Sequence, residues 1–283
     1  MKPGLLPMPI KRVLFLGDVC AEPGRQGLRQ LLPRLKQELR TDFCIVNGEN
    51  AAGGFGITPR LAQELFSFGA DCITTGDHSF DRKEVWEYLD TEPRILRPLN
   101  YPLPAPGRGW AVYQFPGPDG QLAVINLLGR VFMKPVDCPF QRVNAILEQL
   151  NAASRIIIVD FHAEATAEKQ AMGWFLDGRV SAVFGTHTHI QTADERILPQ
   201  GTAYITDVGM CGAFDSILGM RKDLSLRRLL EMVPVRLQPA SDDIRINGVI
   251  VEIESETGRA LRMERVCCSL GSTGSEGHWQ PCL

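Results

Sequence analysis

The 283-residue sequence lacks several features that would place it in a specialised class of protein. No apolar stretch approaches the ~20 residues that span a bilayer. Residues 1–10 contain no extended apolar segment of the kind found in signal peptides. The formal net charge is −3, so a broad basic surface for nucleic acid is not expected. We therefore expect a cytoplasmic globular protein with no membrane contact and no extended nucleic-acid surface.

The eight cysteines show no CxxC spacing, which disfavours a structural zinc site made of cysteines. Cys44 and Cys72 fall inside predicted buried strands, where a free cysteine behaves as a small hydrophobic residue. Cys267 and Cys268 are adjacent, which is too close for an ordinary bridge. In a chain without an export signal, this pattern predicts free thiols in a reducing cytosol.

The first ninety residues alternate predicted strands with predicted helices, which favours parallel strands joined by right-handed crossovers. After residue 95 the turns are closer together, and we expect an antiparallel or mixed second sheet. The predicted strands are 12–17, 43–47, 71–75, 95–99, 109–115, 121–128, 156–161, 181–185, 202–207 and 244–254, and the predicted helices are 26–40, 58–67, 81–89, 140–153 and 164–172. We expect one domain over residues 1–270, followed by a flexible tail at 271–283.

Only five histidines occur in the chain, and four of them lie where predicted strands end. His78 and His162 each follow a β-branched run, and His187 and His189 follow the strand at 181–185. Residues i and i+2 of an extended strand lie on the same face. We therefore expect His187 and His189 to reach one common centre.

Carboxylates follow the same set of strands, and the ends of parallel strands meet at one edge of a sheet. The candidate metal ligands are Asp18, Glu49, Asn50, Asp77, His162, His187 and His189. This set is sufficient for two divalent ions with a hydroxide between them, and it leaves His78 as a proton donor. Imidazole, carboxylate and amide ligands suit Fe, Mn, Zn or Co better than Mg or Ca.

The order of these motifs resembles the calcineurin-like metallophosphoesterase superfamily. The strings at 17–19, 47–52, 160–166 and 185–189 resemble its YmdB-type branch, and the similarity spans about residues 11 to 266. The resemblance implies a four-layer αββα sandwich of two mixed sheets flanked by helices. It also implies a cytoplasmic homo-oligomer that hydrolyses small or cyclic nucleotide phosphodiesters with two transition-metal ions, chiefly Fe, with Mn or Zn as alternatives.

The resemblance further implies a role for each side chain. One ion would be held by Asp18, Glu49, Asn50 and His189, and the other by Glu49, Asp77, His162 and His187, with Glu49 bridging. A metal-bound hydroxide would attack phosphorus, and His78 would protonate the leaving oxygen as the general acid. Asp81 is expected either to orient His78 or to cap a helix.

Asp77 departs from the family pattern, which has asparagine at this position. The additional carboxylate lowers the net charge of the centre by one. It should weaken the attraction for an anionic substrate and raise the pKa of a bridging water. We hypothesise that Asp77 changes the metal preference of the site rather than abolishing it.

Two interpretations remain open for each of two arginines and for a glycine-rich segment. Arg25 and Arg130 either pair with a phosphate oxygen or lie on the solvated surface. The glycine-rich segment 53–56 either brings backbone N–H groups near a phosphate or forms a flexible turn. Asp207 follows a predicted strand and would support a ligand histidine.

Three other functions compete with the phosphodiesterase. A non-catalytic metal- and nucleotide-binding regulator is compatible with Asp77, and a phosphomonoesterase would use the same centre. An amidohydrolase also carries a His-x-His motif, but on its first barrel strand. Here the pair at 187–189 lies about two-thirds along the chain.

Overall fold

In the computed structural model, which describes residues 9–115, 120–271 and 278–281, two mixed β-sheets pack face to face between layers of helices. The strands are β1 (Ile10–Leu16), β2 (Asp18–Val19), β3 (Phe43–Asn47), β4 (Cys72–Thr74), β5 (Ile95–Leu96), β6 (Trp110–Gln114), β7 (Gln121–Leu128), β8 (Ile156–His162), β9 (Ala182–Thr186), β10 (Arg196–Ile197), β11 (Ala203–Ile205), β12 (Met210–Ala213), β13 (Ile244–Glu254), β14 (Ala260–Ser269) and β15 (His278–Pro281). The α-helices are α1 (Ala21–Glu38), α2 (Pro59–Phe68), α3 (Trp86–Thr91), α4 (Pro139–Ala153), α5 (Thr166–Leu176) and α6 (Lys222–Glu231), and a 3₁₀ turn at Lys83–Val85 precedes α3.

The first sheet follows the order β15-β14-β13-β1-β3-β4-β5, and β12 and β2 extend it beside β13. Strands β1, β3, β4 and β5 are parallel, as the alternation of strands and helices predicted. The second sheet follows the order β10-β11-β9-β8-β7-β6, with parallel pairs in the middle and an antiparallel strand at each edge. The carboxyl ends of the parallel strands carry the candidate residues.

The hydrophobic core lies in three layers. Between the sheets, Phe15 of β1 and Phe184 of β9 bring their ring centroids to 5.2 Å. The outer face of the first sheet packs against α1 and α2, and that of the second sheet packs against α4 and α5. The predicted four-layer αββα sandwich is therefore confirmed.

Helix α1 shows how local sequence determines these layers. Leu28, Leu32 and Leu35, spaced at three and four residues, are buried against the first sheet. Proline usually kinks or breaks the interior of a helix, but α1 begins at Ala21, before the predicted residue 26, and continues through Pro33. Pro33 is exposed, so the backbone acceptor that it leaves unbonded lies on the solvent side.

Some elements differ from the sequence-based expectation. The helix predicted at 81–89 begins as a 3₁₀ turn at Lys83, and neither β12 nor β14 was predicted. Within the expected flexible tail, His278–Pro281 forms β15 against β14, whereas residues 272–277 and 282–283 lie outside the described residues. In the described part of the chain, no helix is both long and apolar enough to cross a membrane.

Candidate metal centre

Close backbone packing brings the candidate loops together at the end of both sheets. A Cβ atom on Gly17 would lie 1.8 Å from the carbonyl oxygen of Gly209, and one on Gly185 would lie 1.8 Å from that of Thr206. The segment 206–209 therefore passes directly against the ends of β1 and β9, which only glycine permits. The residues that follow these glycines meet, since the backbone N–H of His187 donates to Asp18 Oδ2 at 3.1 Å.

Four of the candidate side chains form a tight cluster. Among the described residues, ligand atoms of Glu49, Asp77, His162 and His187 all lie within 4.8 Å of one another. His162 Nε2 is 3.0 Å from Glu49 Oε1 and 3.3 Å from Asp77 Oδ1. His187 Nδ1 lies 3.0 Å from the same His162 nitrogen. These are the residues that the resemblance implied for the second ion.

The hydrogen bonds around His162 indicate what the cluster lacks. Thr186 Oγ1 donates its only hydrogen to Asp160 Oδ1 at 2.7 Å and accepts from His162 Nδ1 at 2.9 Å. With a proton held on Nδ1, His162 turns Nε2 towards the oxygens of Glu49 and Asp77. Atoms at these distances repel one another unless a proton or a metal ion lies among them, and this set of imidazole and carboxylate ligands fits a metal ion.

Charge and burial shift the pKa values of the cluster in opposite directions. Although burial disfavours the charged form, Glu49 and Asp77 raise the pKa of His162 well above its usual value. Burial opposes ionisation of Asp77, but its hydrogen bond to His162 holds its pKa well below the usual range. Burial, together with the charge on His162, lowers the pKa of His187 to about 4. Burial also opposes ionisation of Glu49, but the charge on His162 lowers its pKa, so both carboxylates remain ionised and favour positive charge beside them.

A second group of acceptor atoms lies next to this cluster. His189 Nδ1 donates to the Leu218 carbonyl at 3.3 Å, so His189 Nε2 presents a lone pair 3.3 Å from Asn50 Oδ1. The amide nitrogen of Asn50 donates to the Gly54 carbonyl, which leaves its oxygen facing His189. Asp18 Oδ1 is fully buried and has no hydrogen-bond partner among the described residues. These atoms belong to the residues that the resemblance implied for the first ion.

The predicted strand geometry of the two histidines is wrong. Strand β9 ends at Thr186, and both histidines lie in the following loop with φ angles of 102° for His187 and 66° for His189. Because two left-handed residues interrupt the extended backbone, the two side chains do not share a strand face. His187 contacts His162, and His189 contacts Asn50, so each histidine serves a different group.

A buried ion pair supports this strained loop. Lys169 Nζ donates to Asp207 Oδ2 at 2.7 Å, and both side chains are almost completely buried. The same oxygen accepts from the backbone N–H of Thr188 at 3.0 Å and from its hydroxyl at 2.7 Å. Asp207 therefore supports the histidine loop through Thr188, which lies between His187 and His189, rather than through an imidazole.

His78 lies at the edge of the cluster, and Asp81 orients it. His78 Nδ1 is 2.7 Å from Asp81 Oδ2, while its other ring nitrogen is 3.8 Å from Asp77 Oδ2. The alternative role of Asp81 as a helix cap is not observed, since the first turn begins at Lys83 with Arg82 at its N-cap. The free edge of the imidazole therefore faces the candidate ligands.

The two arginines have different surroundings. Arg25 is buried and donates to the Ala51 carbonyl at 2.5 Å and to Glu22 at 2.8 Å, so it fixes the loop after β3. Arg130 is exposed, and its backbone N–H donates to the carboxylate of Glu168 at 3.0 Å.

Sequence reasoning missed three supporting residues. Glu164 Oε2 lies 3.2 Å from His187 Nε2 and orients that imidazole from outside, while Asp160 and Thr186 fix the tautomer of His162. A usable signal was present for Asp160, because alternation along β8 places it on the same face as His162. The contact of Glu164 depends on the loop after β9, which gave no such signal.

The αββα sandwich with this cluster at its strand ends defines a metallophosphoesterase of the calcineurin-like superfamily, a class of hydrolases. The chain matches the family model described as "YmdB-like protein" over residues 14–266. It therefore belongs to the YmdB-like family.

Three similar proteins illustrate this membership. The chain is 46% identical over 255 residues to the 2',3'-cyclic-nucleotide 2'-phosphodiesterase of Bacillus subtilis (strain 168), covering 90% of this chain and 96% of the relative. A solved hypothetical protein from Thermus thermophilus has a TM-score of 0.86 and 40% identity, covering 91% of this chain and 99% of the other. A novel phosphatase from Mycoplasma pneumoniae has a TM-score of 0.87 and 33% identity, covering 93% and 94%.

Replacing Asp207 by asparagine should destabilise the protein. The variant leaves the Lys169 ammonium buried without its counter-charge, and we expect the free energy of unfolding to fall by about 3–5 kcal/mol in urea titrations. The matched control is the double variant Lys169→Met with Asp207→Asn, which removes the uncompensated charge and should recover much of the loss. Equal stability of the single and double variants would show that the ion pair does not support the fold.

Proposed function

We propose that this protein is a dinuclear metal-dependent phosphodiesterase that hydrolyses 2',3'-cyclic nucleotides. The observation that carries the proposal is the convergence of carboxylate, imidazole and amide ligand atoms in two adjacent groups, with His78 oriented beside them. The substrate class is supported by the Bacillus subtilis relative, whose name specifies a 2',3'-cyclic-nucleotide 2'-phosphodiesterase. The identity of 46% along nearly the whole of both chains supports the transfer.

Two groups of side chains would hold the ions. Asp18, Glu49, Asn50 and His189 would hold one ion, and Glu49, Asp77, His162 and His187 would hold the other. When bound, such ions polarise the phosphoryl group and make water a stronger nucleophile at neutral pH. The mixture of imidazole, carboxylate and amide ligands suits Fe best in our proposal, with Mn and Zn as alternatives.

His78 is proposed as the general acid. Asp81 accepts a hydrogen bond from His78 Nδ1, so Nε2 is the ring nitrogen available to substrate. In the reaction the oxygen of water forms a bond to phosphorus while water releases one proton to solvent. The P–O2' bond breaks, the proton carried by Nε2 passes to O2', and His78 regains a proton from solvent. The product is a 3'-nucleotide. A ribose alkoxide leaves poorly without a proton, which is why the reaction needs this group.

The environment and assembly of the enzyme are also proposals. A cytoplasmic location is supported by Cys20, Cys44, Cys72, Cys138 and Cys211, which all carry free thiols. A homo-oligomer is expected from the family resemblance. The solved Mycoplasma pneumoniae relative is described as a phosphatase, so phosphomonoesterase activity is the competing proposal. Comparing rates on a phosphomonoester and a phosphodiester distinguishes the two activities.

His78→Ala should reduce turnover strongly for a substrate whose leaving group needs a proton and only slightly for one whose leaving group does not. With 2',3'-cyclic AMP we expect kcat to fall by about 10²- to 10⁴-fold, because the ribose oxygen needs a proton. With bis(nitrophenyl) phosphate the loss should be small, because nitrophenolate leaves without one. Steady-state kinetics on both substrates test this.

Three other results would count against the account. An equal loss on both substrates would remove His78 as the general acid. Faster cleavage of nitrophenyl phosphate than of its bis-ester by the native protein would favour the phosphomonoesterase. No turnover by the metal-loaded native protein would favour the regulator.

Asp77→Asn should change which metal the protein retains. Loss of one carboxylate raises the net charge of the centre, so the retained iron should shift from ferric towards ferrous and the share of manganese should rise. Elemental analysis and electron paramagnetic resonance after equilibration with both metals measure this. Glu164→Gln is the matched control, because it also removes a nearby carboxylate, but Glu164 contacts the outer nitrogen of His187 and is not one of the proposed ligands. Unchanged metal content and oxidation state in Asp77→Asn would contradict the hypothesis.

A further inference from the structure

An exposed aromatic side chain lies directly beside the proposed general acid. The ring centroid of Phe55 is 5.1 Å from that of His78, and the two planes meet at 80°. Phe55 is 42% exposed to solvent. A single exposed apolar residue is common on protein surfaces and carries no meaning alone. Here its position matters, because the reacting group of the substrate must approach His78.

The loop that carries Phe55 is held in place by hydrogen bonds. Gly54 and Gly56, on either side of Phe55, have φ angles of 96° and 75°, which favour glycine. The Phe55 carbonyl accepts from Arg82 Nε at 3.0 Å, and the Gly54 carbonyl accepts from Asn50 Nδ2 at 3.0 Å. These hydrogen bonds favour an ordered loop over the flexible turn that was one interpretation of the glycine-rich segment. The loop holds the aromatic ring of Phe55 at the surface.

The chemistry of the proposed substrate places its base close to this ring. If His78 protonates O2', the carbon that bears O2' lies beside the acid. The nucleobase is attached to the adjacent carbon, C1', so it must lie within a few bonds of His78. Aromatic rings bind all nucleobases by stacking, because every base has a π face.

We propose that the nucleobase of the substrate stacks on the ring of Phe55. The centre would therefore prefer cyclic nucleotides over phosphodiesters that carry no base. This inference rests on the proposed function. It makes Phe55 a specificity-determining residue and assigns it no part in proton transfer or metal binding. Because stacking does not read base edges, the preference should extend to purines and pyrimidines alike.

The test compares Phe55→Leu with the native protein on two substrates. One is 2',3'-cyclic AMP, and the other is methyl riboside 2',3'-cyclic phosphate, which has the same phosphodiester but no base. We expect kcat/KM for the nucleotide to fall about 10-fold or more, which corresponds to about 1.4 kcal/mol, and that for the base-free substrate to stay within about two-fold. Phe55→Trp should retain the preference for the nucleotide.

Two controls keep the result interpretable. Metal content of Phe55→Leu equal to that of the native protein shows that the loop and Asn50 are intact. Trp174→Leu removes another aromatic ring, which is 53% exposed on α5. This variant should leave kcat/KM unchanged for both substrates. Equal losses on both substrates would mean that Phe55 only positions His78, and no loss on either would mean that it contacts no base. Both results overturn the inference and leave the proposed function standing. Failure of the native protein to hydrolyse either substrate would instead contradict the proposed function.

Discussion

The structure depends on a cluster of carboxylate and imidazole side chains that two sheets bring together at their strand ends. The first sheet contributes Glu49 and Asp77 from loops after its parallel strands, and the second contributes His162 at the end of β8. Where such atoms are largely buried they repel one another unless a proton or a cation lies among them, so the arrangement fits a metal ion. Because the ligands come from both sheets, a bound ion would also link the sheets, and metal binding would add to the free energy of unfolding.

Polar supports that lie behind the ligands hold this arrangement. Asp160 and Thr186 determine which nitrogen of His162 carries the proton, and burial raises the pKa of Asp160 to about 6. Lys169 and Asp207 stabilise the loop in which two histidines adopt left-handed conformations, each of which costs about 1–3 kcal/mol. Backbone strain at the ligand histidines is thus offset by the hydrogen bonds and the ion pair of the residues that lie behind them.

Much of the fold was predictable from the sequence because its signals are local. Alternating strands and amphipathic helices predicted the parallel half of the first sheet, and strand-end acids and histidines predicted the residues that meet there. The conformation of the loop after β9 was not predictable, since nothing in the sequence near His187 indicates a left-handed backbone. Its cause is distant: the segment 206–209 packs against Gly185, and Asp207 binds Thr188. Strand β14 was missed because many of its side chains are partly exposed.

The most direct test of the account is the metal content of protein purified without oxygen, measured with its activity on 2',3'-cyclic AMP in the same sample. We expect about two transition-metal ions per chain. Turnover should be lost when a chelator removes them and should recover when iron or manganese is returned. Full turnover by metal-free protein, or an inactive protein that binds no more than one ion after reconstitution, would contradict the dinuclear centre.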